Sequence, residues 1–103
     1  MIIGVLQVEL CVDDSRSLKD KRRVVKSIKD RLHREHMVSV AEIGQLDDHR
    51  LATLGIVLAS KDVSVCQSVL DRILDKLRAA RDCHMTDHAV ELLTGQNAKS
   101  SQA

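Results

Sequence analysis

The chain has 103 residues, a formal net charge of +1, 44% hydrophobic and 30% charged residues, values that describe one globular domain with one core and exclude disorder or a second domain. Phe, Tyr, Trp and Pro are all absent, so the core is aliphatic and no surface can stack nucleobases on aromatic rings. No apolar run reaches the roughly 18 residues of a membrane-spanning helix, and Met1 leads straight into Ile2-Ile3-Gly4-Val5 with no basic region before it, which reads as no secretory signal.

Residues 2–12 predict a strand. Ile2, Leu6, Val8, Leu10 and Val12 share one face with Gly4 in register, while Ile3, Val5, Gln7, Glu9 and Cys11 share the other, as in a middle strand buried on one side. Asp13-Asp14-Ser15-Arg16 is the turn. Ser17 is read as an N-cap, with Asp20 as the acidic partner of a capping box. The helix it opens runs to about Glu35 and buries Leu18, Val25, Ile28 and Leu32 with Val24 alongside.

Residues 37–44 predict a weaker, partly polar second strand, 45–50 a polar turn, and 51–60 a third strand with Leu54, Ile56 and Leu58 inward. If position i pairs with 95 − i across this hairpin, Ser39, Ala41 and Ile43 face the core; a one-residue slip puts Val38 and Val40 there instead. Periodicity leaves both registers open. Asp62 is the N-cap of a second helix whose stripe is Cys66, Val69, Leu70, Ile73, Leu74 and Leu77, ending near Arg81. Residues 83–93 form the last and most polar strand. The domain is thus 1–94, and 95–103 reads as a frayed polar tail.

The order β-α-β-β-α-β predicts an α+β, ferredoxin-like sandwich: a four-stranded antiparallel sheet of order 4-1-3-2 with both helices on one face. The two most apolar strands, the first and third, take the middle and are read as parallel to each other. Glu42, Asp87, His88 and Glu91 then lie on edge strands, where charge is expected.

Charge is sorted along the chain. From Arg16 to His36 there are nine Lys or Arg against three acids, a segment charge of +6, so the remaining residues sum to −5. Arg16, Lys19, Lys21, Arg22, Arg23, Lys26 and Lys29 are the candidate anion-binding residues, suited to phosphate or an RNA backbone. A plain solvated helix face is the competing reading. Against it, cations crowd the positive end of the helix dipole, where acids would be stabilising. The open face of the sheet offers Ile3, Val5 and Val57 as a candidate protein contact or homodimer seam.

No metal or cofactor is expected. His84 and His88 point to the same side of a strand but are about 14 Å apart for four residues, and structural sites need about four converging ligands. Three cysteines, at 11, 66 and 83, have no CxxC spacing, which gives no disulfide framework and fits a reducing cytoplasm. Gly-rich phosphate loops, GxSxG and HExxH are missing, and the loop Asp13–Ser17 lacks both the glycine-rich cradle of acylphosphatases and the CxxC of metal-carrying ferredoxin-like domains. The chain is therefore not expected to be an enzyme.

Met1-Ile-Ile-Gly-Val-Leu, Ser15-Arg-Ser-Leu-Lys-Asp-Lys-Arg-Arg-Val24, Val38-Ser-Val-Ala-Glu42 and Ala52-Thr-Leu-Gly55 together resemble the YlxP-like family, small bacterial proteins labelled a domain of unknown function. The resemblance spans about residues 1–93. It implies a one-domain ferredoxin-like sandwich and, from the genes that neighbour the family, work on ribosomes or RNA; it supplies no catalytic residue. Where the family often has an aromatic near position 37 and another in the following turn, this sequence has Met37 and Asp47-Asp48-His49. The expected function is non-enzymatic binding of ribosomal RNA or a ribosomal subunit, with homodimerisation as the alternative and no membrane contact.

Overall fold

In the computed structural model, residues 1–94 are described; the tail read for 95–103 lies outside the described residues. The elements are β1 (Ile2–Cys11), α1 (Leu18–Glu35), β2 (Ser39–Gly44), β3 (Leu51–Ser60), α2 (Val63–Ala79) and β4 (His84–Thr94). The sheet order β2-β3-β1-β4 is the expected one, read from the opposite edge. Every neighbouring pair is antiparallel, which corrects the parallel reading of the middle pair. The α1 crossover makes β2 parallel to β1 with a gap between them, and the hairpin then sends β3 back through that gap.

Alternation in β1 and β3 builds the core. Leu6, Val8 and Leu10 face Ala52, Leu54, Ile56 and Leu58 on the same buried side, under Val25, Ile28 and Leu32 of α1 and Leu70, Ile73, Leu74 and Leu77 of α2. Each Val, Leu or Ile among them contributes on the order of 1.5–3 kcal/mol when fully buried. The β2 register is settled in favour of the slip. Val40 pairs with Ile56 and is buried, while Ser39 and Ala41 pair with Val57 and Gly55 on the open face. A bulge between Glu42 and Gly44 lets Ile43 fold over Gly55 on that same face.

One glycine is dictated by close approach. A Cβ on Gly4 would stand 2.5 Å from Cys66 Sγ and 3.3 Å from Leu58 and Leu70, so β1 meets the start of α2 where only a hydrogen fits. Gly4→Ala should therefore cost about 1–3 kcal/mol by overpacking. In urea unfolding, adding Cys66→Ala should recover most of that loss; no recovery would mean the contact is not the cause.

The helix caps match the sequence. Ser17 Oγ accepts from the Asp20 N–H at 3.1 Å, and Asp62 accepts from the Val65 N–H at 2.8 Å. Asp20 reaches one residue further back than a standard capping box, its carboxylate accepting from the Arg16 N–H at 3.0 Å. Ser15 is buried and donates its hydroxyl to the Ser17 carbonyl at 3.0 Å. The β1–α1 turn is thereby fixed, and with it the direction in which the basic helix starts.

Candidate functional site

Successive α-helical residues turn by about 100°, which puts Lys19, Arg22, Arg23, Lys26 and Lys29 within an arc of about 120°. Val25, Ile28 and Leu32 lie on the sheet-facing side and bind α1 to the sheet, while Leu18, expected with them, is only half-buried at the start of the helix. Lys19, Arg22, Arg23 and Lys26 are exposed, Arg16 is exposed just before the helix, and Lys29 is half-buried. Lys26 pairs with Asp30 at 2.7 Å, holding the Asp30 carboxyl below its usual range. Among the described residues, Arg16, Lys19, Arg22, Arg23 and Lys29 make no ion pair. Arg22, Lys26, Lys29 and His33 line a depression of about 410 Å³ beside Glu42, and Arg23, Arg31 and Arg34 line another of about 310 Å³. Asp30 lines both depressions and is paired with Lys26, so cations outnumber acids on this face.

Lys21 does not belong to this surface. It is 1% exposed, because it sits three residues after Leu18 and four before Val25, inside the apolar stripe. Its ammonium donates to the carbonyls of Gln45 at 2.7 Å and Leu51 at 3.0 Å and lies 3.0 Å from Glu42 Oε2. These oxygens belong to the two ends of the β2–β3 turn and to β2. Gln45 has a positive φ of 60°, a left-handed conformation costly for a residue with a side chain. Its carbonyl also accepts from the Asp48 N–H at 3.1 Å, while Asp48 accepts from the N–H groups of Arg50 and Leu51 at 2.8 and 2.9 Å; those two backbone bonds hold the Asp48 carboxyl below its usual range. Glu42, read as an edge-strand charge, points inward to Lys21 instead. The lysine is a clamp on the hairpin and is corrected out of the anion-binding set.

The open sheet face carries the other candidates. Val5 is directly opposite Val57, and Ile3 lies between Ala59 and Leu93. Ile3 and Val5 are half-buried, Val57 and Leu93 exposed. Met1, Ile3, Met37 and Val57 line a groove of about 590 Å³ at one end of this face, with His33 and His36 on its rim. Glu35 and His36 are both held by Lys76, and burial with the Lys76 charge lowers the His36 pKa.

A third grouping was missed from sequence. Cys11, Asp13 and His84 converge, with Cys11 Sγ 3.2 Å from Asp13 Oδ1 and His84 Nδ1 2.8 Å from Asp13 Oδ2. The hydrogen bond from Cys11, followed by that to His84, lowers the Asp13 pKa, and the same carboxylate raises that of the Cys11 thiol. Cys83 is turned into the core, where burial pushes its thiol up to about 11. Cys66 is likewise a small core residue, its thiol raised by burial. Chain spacing gave no sign of this cluster, since residues 11 and 84 meet only through β1–β4 pairing.

Among the described residues no helix is long and apolar enough to cross a membrane. In solved structures the fold resembles the de novo designed protein Foldit4, with a TM-score of 0.54 at 16% identity over 91% of this chain and 98% of that one. A second designed protein, LFR1 1 with a ferredoxin fold, gives a TM-score of 0.48 at 17% identity over 90% and 84%. In sequence, the chain is 34% identical over 73 residues to the uncharacterized protein YlxP of Bacillus subtilis (strain 168), covering 71% of this chain and 79% of that one. Residues 3–90 match the family described as protein of unknown function DUF503, a span that takes in β1 from Ile3 onward and the whole Ser15–Val24 run. The chain belongs to this YlxP-like family of unknown function.

Proposed function

We propose that this protein binds the phosphate backbone of RNA through the outward face of α1, without reading sequence and without catalysing a reaction. The observation that carries this reading is that Arg16, Lys19, Arg22 and Arg23 stand exposed and without acidic partners at the positive end of α1, among the described residues. A helix whose surface served only solubility would gain from acids in its first turns. With no aromatic side chain in the sequence, stacking of bases on aromatic rings is unavailable, and an exposed Arg/Lys face favours phosphate contact. Ribosomal RNA, in the cytoplasm, is the class of partner that fits an unselective, positively charged face. The test is binding of a labelled single-stranded RNA by the wild type and by Arg22→Glu/Arg23→Glu. Loss of binding in a folded double variant supports the reading, and unchanged binding overturns it.

The open sheet face favours a second reading, pairing with another copy of the chain. Val57 and Leu93 are 42% and 43% exposed beside Val5 and Ile3, an aliphatic patch running from β3 across β1 to the edge strand β4. Light scattering at high protein concentration checks it. A dimer insensitive to salt and dissolved by Val5→Glu is the expected result of this reading, and a strict monomer removes it.

A further inference from the structure

We infer that Cys11, Asp13 and His84 form a binding site for a borderline divalent transition metal, with Zn²⁺ as the reference ion, at the end of the β1–β4 ladder. The donor set is one thiolate, one carboxylate and one imidazole, all of them zinc ligands, and the sulfur disfavours Mg²⁺ and Ca²⁺. The two anionic donors balance the charge of a divalent ion.

The placement is constructed by the sheet. From Gln7 to Glu9, β1 pairs with β4 in one register, Gln7 opposite Ala89 and Glu9 opposite Asp87; beyond a bulge the register shifts, and Cys11 stands opposite His84. Continuing the first register would have put Met85 there. Thr86 is the extra residue, and its hydroxyl donates to the Glu9 carbonyl at 3.3 Å. The shift keeps Met85 packed against the core and brings His84 to the open side with Cys11. Bulges of this kind re-aim side chains near functional sites. Asp13, two residues past Cys11 in the turn, then reaches both partners.

The donor atoms already lie within 4.8 Å of one another. A tetrahedral ion bound at about 2.3 Å to sulfur and 2.0 Å to nitrogen needs those two atoms about 3.5 Å apart. His84 and Asp13 are 55% and 65% exposed in their side chains, so small rotations close the difference. On binding, the Cys11 S–H proton passes to solvent as the sulfur–metal bond forms. His84 moves its proton to Nε2 and presents the Nδ1 lone pair, and Asp13 exchanges its two hydrogen bonds for a metal bond. No electron is transferred. Three protein ligands leave the fourth position to water, as in open zinc sites.

Co²⁺ is the probe, added to the untagged full chain under reducing conditions and read by its thiolate-to-metal charge-transfer absorption. One equivalent should saturate the band. Cys11→Ser should abolish it, and His84→Gln and Asp13→Asn should each weaken Co²⁺ binding at least about tenfold. His88→Gln, on the same strand, should leave it unchanged. Absence of the band in the wild type overturns the assignment. So does a band that persists in Cys11→Ser, which would assign the thiolate to Cys66 or Cys83.

Discussion

Lys21→Met should lower folding stability by about 3–5 kcal/mol, the range found when one partner of a buried ion pair is removed. The loss has two sources. Glu42, whose side chain is 17% exposed, is left with no ammonium beside it, and the carbonyls of Gln45 and Leu51 are each deprived of a charged donor. The turn they belong to includes the left-handed Gln45, so its conformation is no longer held by the ammonium that helps fix it. Urea unfolding measures the effect, and a second substitution identifies its origin. Lys21→Met/Glu42→Leu removes both charges and should be clearly more stable than Lys21→Met alone, the coupling expected of groups that touch. If the two variants unfold alike, Glu42 is not the reason. Where it remains folded, Lys21→Met should bind RNA as the wild type does, because a side chain 1% exposed cannot reach a phosphate.

Arg22→Glu/Arg23→Glu should do the opposite: little change in stability and a large drop in binding. Both side chains are exposed and outside every ion pair among the described residues, so their replacement breaks no internal ion pair. Removing one cation–phosphate interaction with a single strand flattens the salt dependence by about 0.7 in log–log slope. The double reversal should therefore flatten it by about 1.4 and lower affinity at low salt at least about tenfold. Lys19→Glu sharpens the contrast, because Lys19 lies in the first turn of α1. An acid there should raise stability by about 0.3–1 kcal/mol while weakening RNA binding. A variant that is more stable but binds less well cannot be explained by unfolding.

The sequence was readable where one side chain's neighbours are set by local period. Leu6, Val8 and Leu10 alternate, Val25, Ile28 and Leu32 recur at helical spacing, and Ser17 and Asp62 announce their helices; all are found where those patterns put them. It was less readable where an interaction spans the sheet. Lys21 falls on the apolar stripe, and its position alone marks it as inward, but a buried lysine is plausible only once Glu42 and two carbonyls are seen to receive it. Glu42 turns inward because β2 takes the register that buries Val40, a choice the mixed polarity of both faces left undecided. Cys11 and His84 depend on a bulge that no periodicity encodes. The candidate basic face was legible in outline for the same reason as the helices, since Lys19, Arg22, Arg23 and Lys26 follow from angle alone.

On the proposed reading the Ser17–Arg23 run serves two ends: Ser17, Asp20 and Lys21 hold the fold, and the exposed Lys19, Arg22 and Arg23 would present charge to phosphate. The most direct measurement of this division is the affinity of the wild type and of Arg22→Glu/Arg23→Glu for one labelled single-stranded RNA across a salt series. With about five or six phosphates engaged, the wild type should give a log–log slope of about −3.5 to −4.2, flattened by about 1.4 in the variant. Equal slopes in the two proteins, or no wild-type binding at about 50 mM salt, would contradict it.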